Sequence, residues 1–305
     1  MQMVDHPSVS AIIPTKNRVQ NLEITIESLL RQTRLPDELI LVDQSPEPSF
    51  TKPVSIPIHY IHDPGLSGLT AARNAAMKVA SGDIWLFLDD DVVLEPTFLE
   101  EILAAYRPGV TGISGIITNY KRPPLGRLLW ESIFMRGPFL DDRQRVYWNA
   151  AQIRDAAPIR VRQLTGALMS FRALAIRGLQ FDMNLTGACP GEDLDFCASL
   201  PNGSILLISP KARLLHKRSP EGRSSVHWLA LHAQVSYYLR ERHWRHGLRS
   251  NVYFFWLNVG YMLAASLSSL KRVSPQPWRA WRDGLRKGAG LAKGNIQETR
   301  APVLR

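Results

Sequence analysis

Residues 8–106 alternate short apolar runs with stretches of helical period, and no other feature restricts the fold as tightly. "SVSAII" (8–13), "ELILVD" (38–43), "IPIHYIH" (56–62) and "IWLFL" (84–88) read as strands. "RVQNLEITIESLLRQT" (18–33) places Leu22, Ile26, Leu29 and Leu30 on one helical face. "SGLTAARNAAMKVASG" (67–82) is rich in alanine, has Ser67 near its start as a cap and ends at Gly82, which predicts a second helix. Strands alternating with helices build right-handed βαβ units, hence a parallel sheet covered on both faces. Such sheets bind ligands at the carboxyl ends of their strands.

Polar groups collect at those ends. "PTKNR" (14–18) follows the first strand, Asp43 closes the second, and Asp89, Asp90 and Asp91 follow "IWLFL" directly. Three adjacent carboxylates repel one another unless a cation or a proton compensates them. In an extended loop a D-x-D spacing puts Asp89 and Asp91 on one side and Asp90 on the other. Carboxylates combined with phosphates suit Mg²⁺ or Mn²⁺. The alternative is a solvated turn leading into a helix over "EPTFLEEILAAY". On the metal reading, Asp90 should tolerate replacement best.

Further along, residues 108–170 read as a loop-rich excursion. "ALMSFRALAIRGLQFD" (167–182) predicts a strand then a short helix, and "GEDLDFCASLPNG" (191–203) a helix start. The ordered set "SVSAIIPTKNR", "LILVDQS", "GLTAARNAAMKVASGDIWLFLDDDV", "GALMSFRALA" and "GEDLDFC" closely resembles the nucleotide-sugar glycosyltransferases of family 2, over roughly residues 8–220. The resemblance implies an α/β GT-A fold, with a Rossmann-like, mostly parallel sheet flanked by helices. It implies that Asp89 and Asp91 hold a divalent cation, Mg²⁺ or Mn²⁺, on the donor diphosphate, with Asp89 and Asp90 also on the nucleotide side. Pro14, Thr15 and Asp43 would line the nucleoside. Many relatives carry a second acid where this chain has Gln44, so the base contact departs from the family pattern. Arg73 would lie near the nucleotide and diphosphate. Asp193 matches the catalytic base, with Glu192 beside it, and His216 a further metal ligand. The implied activity is an inverting transfer of a single hexose or deoxyhexose from a nucleotide-diphosphate sugar to a saccharide or polyprenyl-linked acceptor in surface polysaccharide assembly. Two other readings stay open: a non-catalytic nucleotide-sugar-binding scaffold, and a nucleotidyltransferase, although "PTKNR" is not glycine-rich.

The carboxyl-terminal part differs in character. The net charge of +10 is split: residues 211–305 hold 18 Lys/Arg against 4 Asp/Glu, while residues 1–210 hold 19 against 23. "NVYFFWLNVGYMLAASLSSL" (251–270) has no charge, yet Asn251, Asn258, Ser266, Ser268 and Ser269 interrupt it. Arg240, Arg242, Arg245 and Arg249 precede it, and Lys271 and Arg272 begin the basic run after it. A spanning helix should be basic mainly on one side. Basic flanks on both sides favour attachment to the anionic inner face of the cell membrane over a single span, and a helix buried in a dimer or core is the third placement. No module for reading nucleic acid is recognisable. The expected division is a glycosyltransferase domain over 1–225, with a nucleotide-binding half to 106 and an acceptor half from 107, and a tail over 226–305. Trp130, Phe134, Tyr147 and Trp148 could stack on sugars, touch lipid or pack in a core. Cys189 and Cys197 are too few for a disulfide framework and read as packing residues in a reducing compartment. The amino terminus lacks a secretory pattern.

Overall fold

The computed structural model describes residues 6–185, 191–217, 225–244 and 247–300. In chain order the first elements are β1 (Val9–Thr15), α1 (Val19–Leu30), β2 (Glu38–Asp43), β3 (Ile58–His62), α2 (Gly68–Met77) and β4 (Ile84–Leu88). Then come β5 (Val92–Leu94), α3 (Phe98–Ala105), β6 (Val110–Ile117), α4 (Leu125–Phe134), α5 (Arg143–Trp148), β7 (Ile159–Val161), β8 (Leu168–Arg172) and α6 (Ala173–Ile176). The chain closes with α7 (Glu192–Ala198), β9 (Ile205–His216), α8 (Ser225–Leu239), α9 (Leu248–Arg272) and α10 (Gln276–Arg300).

Two compact units result. The first takes Met1–Lys121, Asp142–Ala188 and Glu192–Ser219; the second takes Arg122–Asp141, Cys189–Gly191 and Pro220–Arg305. The helical unit therefore includes α4, which lies well before the expected boundary at 225.

The first unit is built on a mixed sheet in the order β3-β2-β1-β4-β8-β6-β9-β5, with β7 pairing β9. β3-β2-β1-β4 run parallel, as the βαβ pattern requires, and β6 pairs parallel with β9. β8 is antiparallel to β4 and to β6. Alternating side chains sort the core onto the two faces. Ala11, Ile13, Leu39, Leu41 and Leu86 pack with Leu22 and Ile26 of α1 and Phe98 of α3. Ile12, Ile40, Val42 and Phe87 pack with Ala72 and Ala76 of α2 and Phe196 of α7. Cys197 joins this second cluster, and burial pushes its thiol up to about 12. Cys189 lies outside the described residues, as does Arg245.

Residues 108–170 are loop-rich only beyond Ile117: they open with β6, whose eight residues are all buried, and then run through loops, short helices and β7. Gly112 and Gly115 make "VTGISGII" look like turns, but each glycine serves close packing. A Cβ at 112 would lie 2.6 Å from Phe171, and one at 115 would lie 2.3 Å from the Ala212 carbonyl of β9. β9 was also hidden in the sequence, because Pro210 and Arg213 interrupt its apolar pattern. One end of β9 pairs with β7 and the other with β5. The second helix is shorter than expected: α2 stops at Met77, and Ser67 caps it without a side-chain hydrogen bond. Gly82 instead lets the chain pass against the start of β1, 2.7 Å from Ser10 N for an added Cβ.

Within the helical unit, α10 packs on α8 through Gly284 and Gly288. Added Cβ atoms there would lie 2.2 Å from the Ala230 carbonyl and 2.4 Å from the Gln234 carbonyl. α9 buries Leu257, Asn258, Gly260, Tyr261 and Ala265. Trp130 stacks on Tyr261 at 5.4 Å and Phe134 lies 5.3 Å from Trp256. In the sheet unit, Tyr147 packs on Tyr120 at 5.2 Å. These three aromatics therefore pack internally. No helix among the described residues is long and apolar enough to cross a membrane, the spanning placement of 251–270 included.

The close β6–β9 approach gives a test. Gly115→Ala should destabilise the chain by about 2 kcal/mol or more, because the Ala212 carbonyl is backbone and cannot rotate away. Urea unfolding would measure the loss, and unchanged stability would show that β9 is not held where described.

Candidate active site

The site assembles where β1, β2 and β4 end. Parallel register sets Pro14 beside Val42 and Thr15 beside Asp43. After Thr15 the chain turns through Asn17, whose φ of 56° is the left-handed region that asparagine tolerates. Asn17 N donates to Ser45 Oγ at 2.9 Å, fixing the turn. Arg18 is thereby folded back toward the aspartates.

Asp43 is fully buried. Its Oδ1 accepts from Ser45 N at 2.9 Å, and its Oδ2 accepts from Ser49 N at 2.7 Å, Ser49 Oγ at 2.6 Å and Tyr60 Oη at 2.7 Å. Burial works against the charge, but hydrogen bonds from Ser45, Ser49 and Tyr60 outweigh it and hold the carboxyl well below the usual range. Gln44 is spent on the fold: its Nε2 donates to the Leu66 and Gly68 carbonyls at 2.9 and 3.0 Å, tying down the entry to α2.

The three aspartates form a turn rather than an extended strand, and each has its own surroundings. Asp90 is not the free member. It is buried, and its carboxylate accepts from Thr15 Oγ1 at 2.7 Å and from Arg18 Nη1 at 3.1 Å. Burial pushes its carboxyl up to about 6, against the pull of Thr15 and Arg18. The expectation that it would tolerate replacement best is therefore corrected: its side chain points inward and ties β4 to the β1 turn. Asp91 is buried as well, with Oδ2 at 3.4 Å from Arg18 Nη1. Asp89 is more open, with its side chain 26% exposed.

Asp89, Asp91 and His216 converge. One ligand atom from each lies within 4.8 Å of the others. His216 Nε2 stands 2.9 Å from Asp91 Oδ1 and 3.7 Å from Asp89 Oδ2. Asp91 Oδ1 is buried and has no aligned hydrogen-bond donor, and His216 Nδ1 is equally unbonded. Buried acceptors left without donors are costly. Two carboxylate oxygens and one imidazole nitrogen within 4.8 Å of one another could hold a divalent cation, and the carboxylate pair suits Mg²⁺ or Mn²⁺. Strand pairing brings His216 there: Val92 of β5 is opposite His216 of β9, and Lys217 N donates to the Asp91 carbonyl at 2.8 Å. Asn119 holds the His216 backbone through bonds of 2.7 and 3.1 Å. Burial raises the Asp89 carboxyl, with Arg73 and His216 opposing; for Asp91 burial is outweighed by His216 and Arg18, and its carboxyl falls.

Arg73 of α2 is fully buried. Its guanidinium donates to the Gly166 carbonyl at 2.7 Å, lies 3.5 Å from Asp89 and 3.3 Å from Glu192, and sits 5.2 Å from the centre of the Phe181 ring. It thus joins the acid after β4 to the acid at the start of α7. Glu192 is held above the usual carboxylate range by burial first and by the Asp193 charge second. Asp193 Oδ2 accepts from Arg143 Nη1 at 2.8 Å and Gly166 N at 3.1 Å, and Oδ1 from Leu194 N at 2.8 Å. Arg18, Arg143 and Asn119 were not singled out from sequence. Arg18 stands inside the quoted "PTKNR" turn, but the other two offered no local signal.

Residues 10–175 match the sequence profile of "Glycosyl transferase family 2". The chain belongs to this family. Succinoglycan biosynthesis protein ExoM of Rhizobium meliloti is 27% identical to it over 201 residues, 63% of this chain and 60% of that protein. The chain thus spans about three fifths of that relative's length. Staphylococcus aureus TarS 1–349 in complex with UDP-GlcNAc superposes with a TM-score of 0.58 at 15% identity, covering 95% of this chain and 83% of that one. The mannosyltransferase PcManGT from Pyrobaculum calidifontis in complex with GDP-Man and Mn²⁺ gives 0.53 at 16% identity, covering 97% and 88%. These likenesses establish the GT-A fold for this family 2 member.

The inward position of Asp90 makes a prediction that separates it from its neighbours. Asp90→Ala should cost about 1–3 kcal/mol, since it strands the buried Thr15 hydroxyl and removes one of the two carboxylates that Arg18 meets. A urea midpoint indistinguishable from the parent's would refute this anchoring role.

Proposed function

We propose that this family 2 glycosyltransferase transfers a single hexose or deoxyhexose from a nucleotide-diphosphate sugar to a saccharide acceptor, with inversion at the anomeric carbon. The observation that carries the reading is the Asp89–Asp91–His216 cluster, joined through buried Arg73 to the Glu192–Asp193 pair. Pro14, Thr15 and Asp43 would line the nucleoside end; both Asp43 oxygens already accept from Ser45, Ser49 and Tyr60, so a nucleoside donor would have to share or displace those bonds. Asp89, Asp91 and His216 would hold Mg²⁺ or Mn²⁺. A divalent cation there would stabilise the negative charge that develops on the leaving diphosphate. PcManGT, by its description, binds GDP-Man and Mn²⁺, and TarS binds UDP-GlcNAc, which supports a nucleotide-sugar donor.

Asp193 is the acceptor's base. Arg143 and the Gly166 amide occupy Oδ2, so the less engaged Oδ1 takes the hydroxyl proton as the sugar's bond to the diphosphate breaks. The attacking oxygen arrives from the face opposite the diphosphate, which gives inversion in one displacement. Glu192 is the second candidate base, because its raised carboxyl lies nearer the pH at which a base works well. We take the acceptor to be a lipid-linked saccharide; the name of the succinoglycan relative supports the coarser reading, a role in polysaccharide assembly. The basic helical unit supports attachment at the anionic inner face of the cell membrane.

Asp193→Asn should keep binding of the nucleoside diphosphate and lower transfer by roughly 10²–10⁴-fold. If Glu192→Gln shows that loss and Asp193→Asn does not, the roles are exchanged. Binding without transfer to any acceptor or to water, in the unaltered chain, would favour a scaffold. Release of pyrophosphate from a nucleoside triphosphate would favour a nucleotidyltransferase.

A further inference from the structure

Among the described residues, twelve of the eighteen large apolar side chains left exposed lie in the helical unit, on α4, α9, α10 and at Val273. That concentration is not ordinary surface scatter. α9 is apolar on two sides. Leu257, Tyr261 and Ala265 face the unit's interior. Val252, Phe255, Trp256, Leu263, Leu267 and Leu270 are exposed, and their spacing follows the other side of the same helix. This outer stripe runs about 27 Å at 1.5 Å per residue. α4 carries a second stripe: Leu125, Leu129 and Ile133, spaced by four and exposed by 70%, 54% and 45%.

The two stripes meet. Trp256 Nε1 donates to the Ile133 carbonyl at 2.8 Å, and Trp130 Nε1 to the Gly260 carbonyl at 2.9 Å. Ile133 and Trp256, each exposed, are therefore neighbours where the two helices meet, so the two stripes adjoin.

The charge around that surface identifies its occupant. Exposed Arg249 and Lys271 stand near the two ends of α9, and residues 220–305 hold 14 Lys/Arg against 4 Asp/Glu. A second copy would bring the same positive excess face to face with it. A nucleic acid would meet the charge and leave the stripes wet. An anionic bilayer satisfies both, with acyl chains for the stripes, headgroups for the cations, and the interface for Trp256. We propose that α4 and α9 form one two-helix platform that lies in the interface of an anionic membrane without crossing it. This deepens the membrane attachment proposed above by adding α4 and naming the inserted faces, and it rests on that attachment.

The test is flotation of the full chain with vesicles of phosphatidylcholine alone and of phosphatidylcholine mixed with phosphatidylglycerol. The unaltered chain should float with the mixed vesicles only. The triple variants Leu125→Gln/Leu129→Gln/Ile133→Gln and Phe255→Gln/Leu263→Gln/Leu267→Gln should each bind roughly tenfold more weakly or worse at unchanged net charge. Leu129→Lys adds a cation at an exposed site: insertion predicts weaker binding, whereas attraction by charge alone predicts tighter binding. Mixed-vesicle binding that survives both α4 variants would overturn the platform and leave attachment through α9. Failure of the unaltered chain to float with either vesicle, or its sedimentation as a dimer that the α4 triple variant splits, would overturn platform and attachment together.

Discussion

Three consecutive carboxylates at the end of β4 set the terms for everything built around them. Two such charges within 4.8 Å repel by about 3 kcal/mol or more at an effective dielectric of about 20. A fold worth only about 5–15 kcal/mol cannot carry several such terms unanswered. The surrounding elements can be understood as answers. The β1 turn sends Arg18 to Asp90 and Asp91, and α2 sends Arg73 to Asp89; the β5–β9 pairing adds His216 as a third candidate ligand beside Asp89 and Asp91 rather than as a countercharge. These answers differ in weight. Arg18 is 36% exposed, so water screens it, while Arg73 is fully buried. The buried Asp91 oxygen without an aligned donor is the part left for a cation.

The same network links the two halves of the proposed reaction. Arg73 touches Asp89 on the proposed donor side and Glu192 on the proposed acceptor side, and Gly166 contributes its carbonyl to Arg73 and its amide to Asp193. A Cβ at Gly166 would lie 2.5 Å from Glu192 Oε1, so any larger residue there would push the Glu192 carboxylate away from Arg73. The site is held by backbone and buried charge rather than by exposed loops. Such support is what keeps reacting groups within fractions of an ångström of a productive geometry.

Much of the donor half was legible because strand period and strand ends are local signals. β2 and β4 run over the residues their apolar pattern marks, and Asp43 and Asp89–Asp91 follow from where they stop. The roles within the triplet were less legible. An extended D-x-D does separate Asp90 from its neighbours, but it does not reveal that the separated side chain points into Thr15 and Arg18. β6 and β9 were hidden because glycines used for close contact look like turns, and Pro210 and Arg213 look like loop residues. Arg143 reaches Asp193 across 50 positions, and no spacing encodes that. In the helical unit, the apolar length of α9 was plain in the sequence. Its two-sided use, and the contribution of α4 from another part of the chain, required the packing.

The central claim is that Asp89, Asp91 and His216 form one divalent-cation site beside a nucleoside diphosphate. The most direct measurement is Mn²⁺ binding to the purified chain, followed by the electron paramagnetic resonance of free Mn²⁺ with a nucleoside diphosphate present. Asp91→Asn and His216→Gln should each weaken binding by more than the roughly tenfold that loss of even an outer partner costs. Binding in both variants equal to that of the unaltered chain would contradict the account.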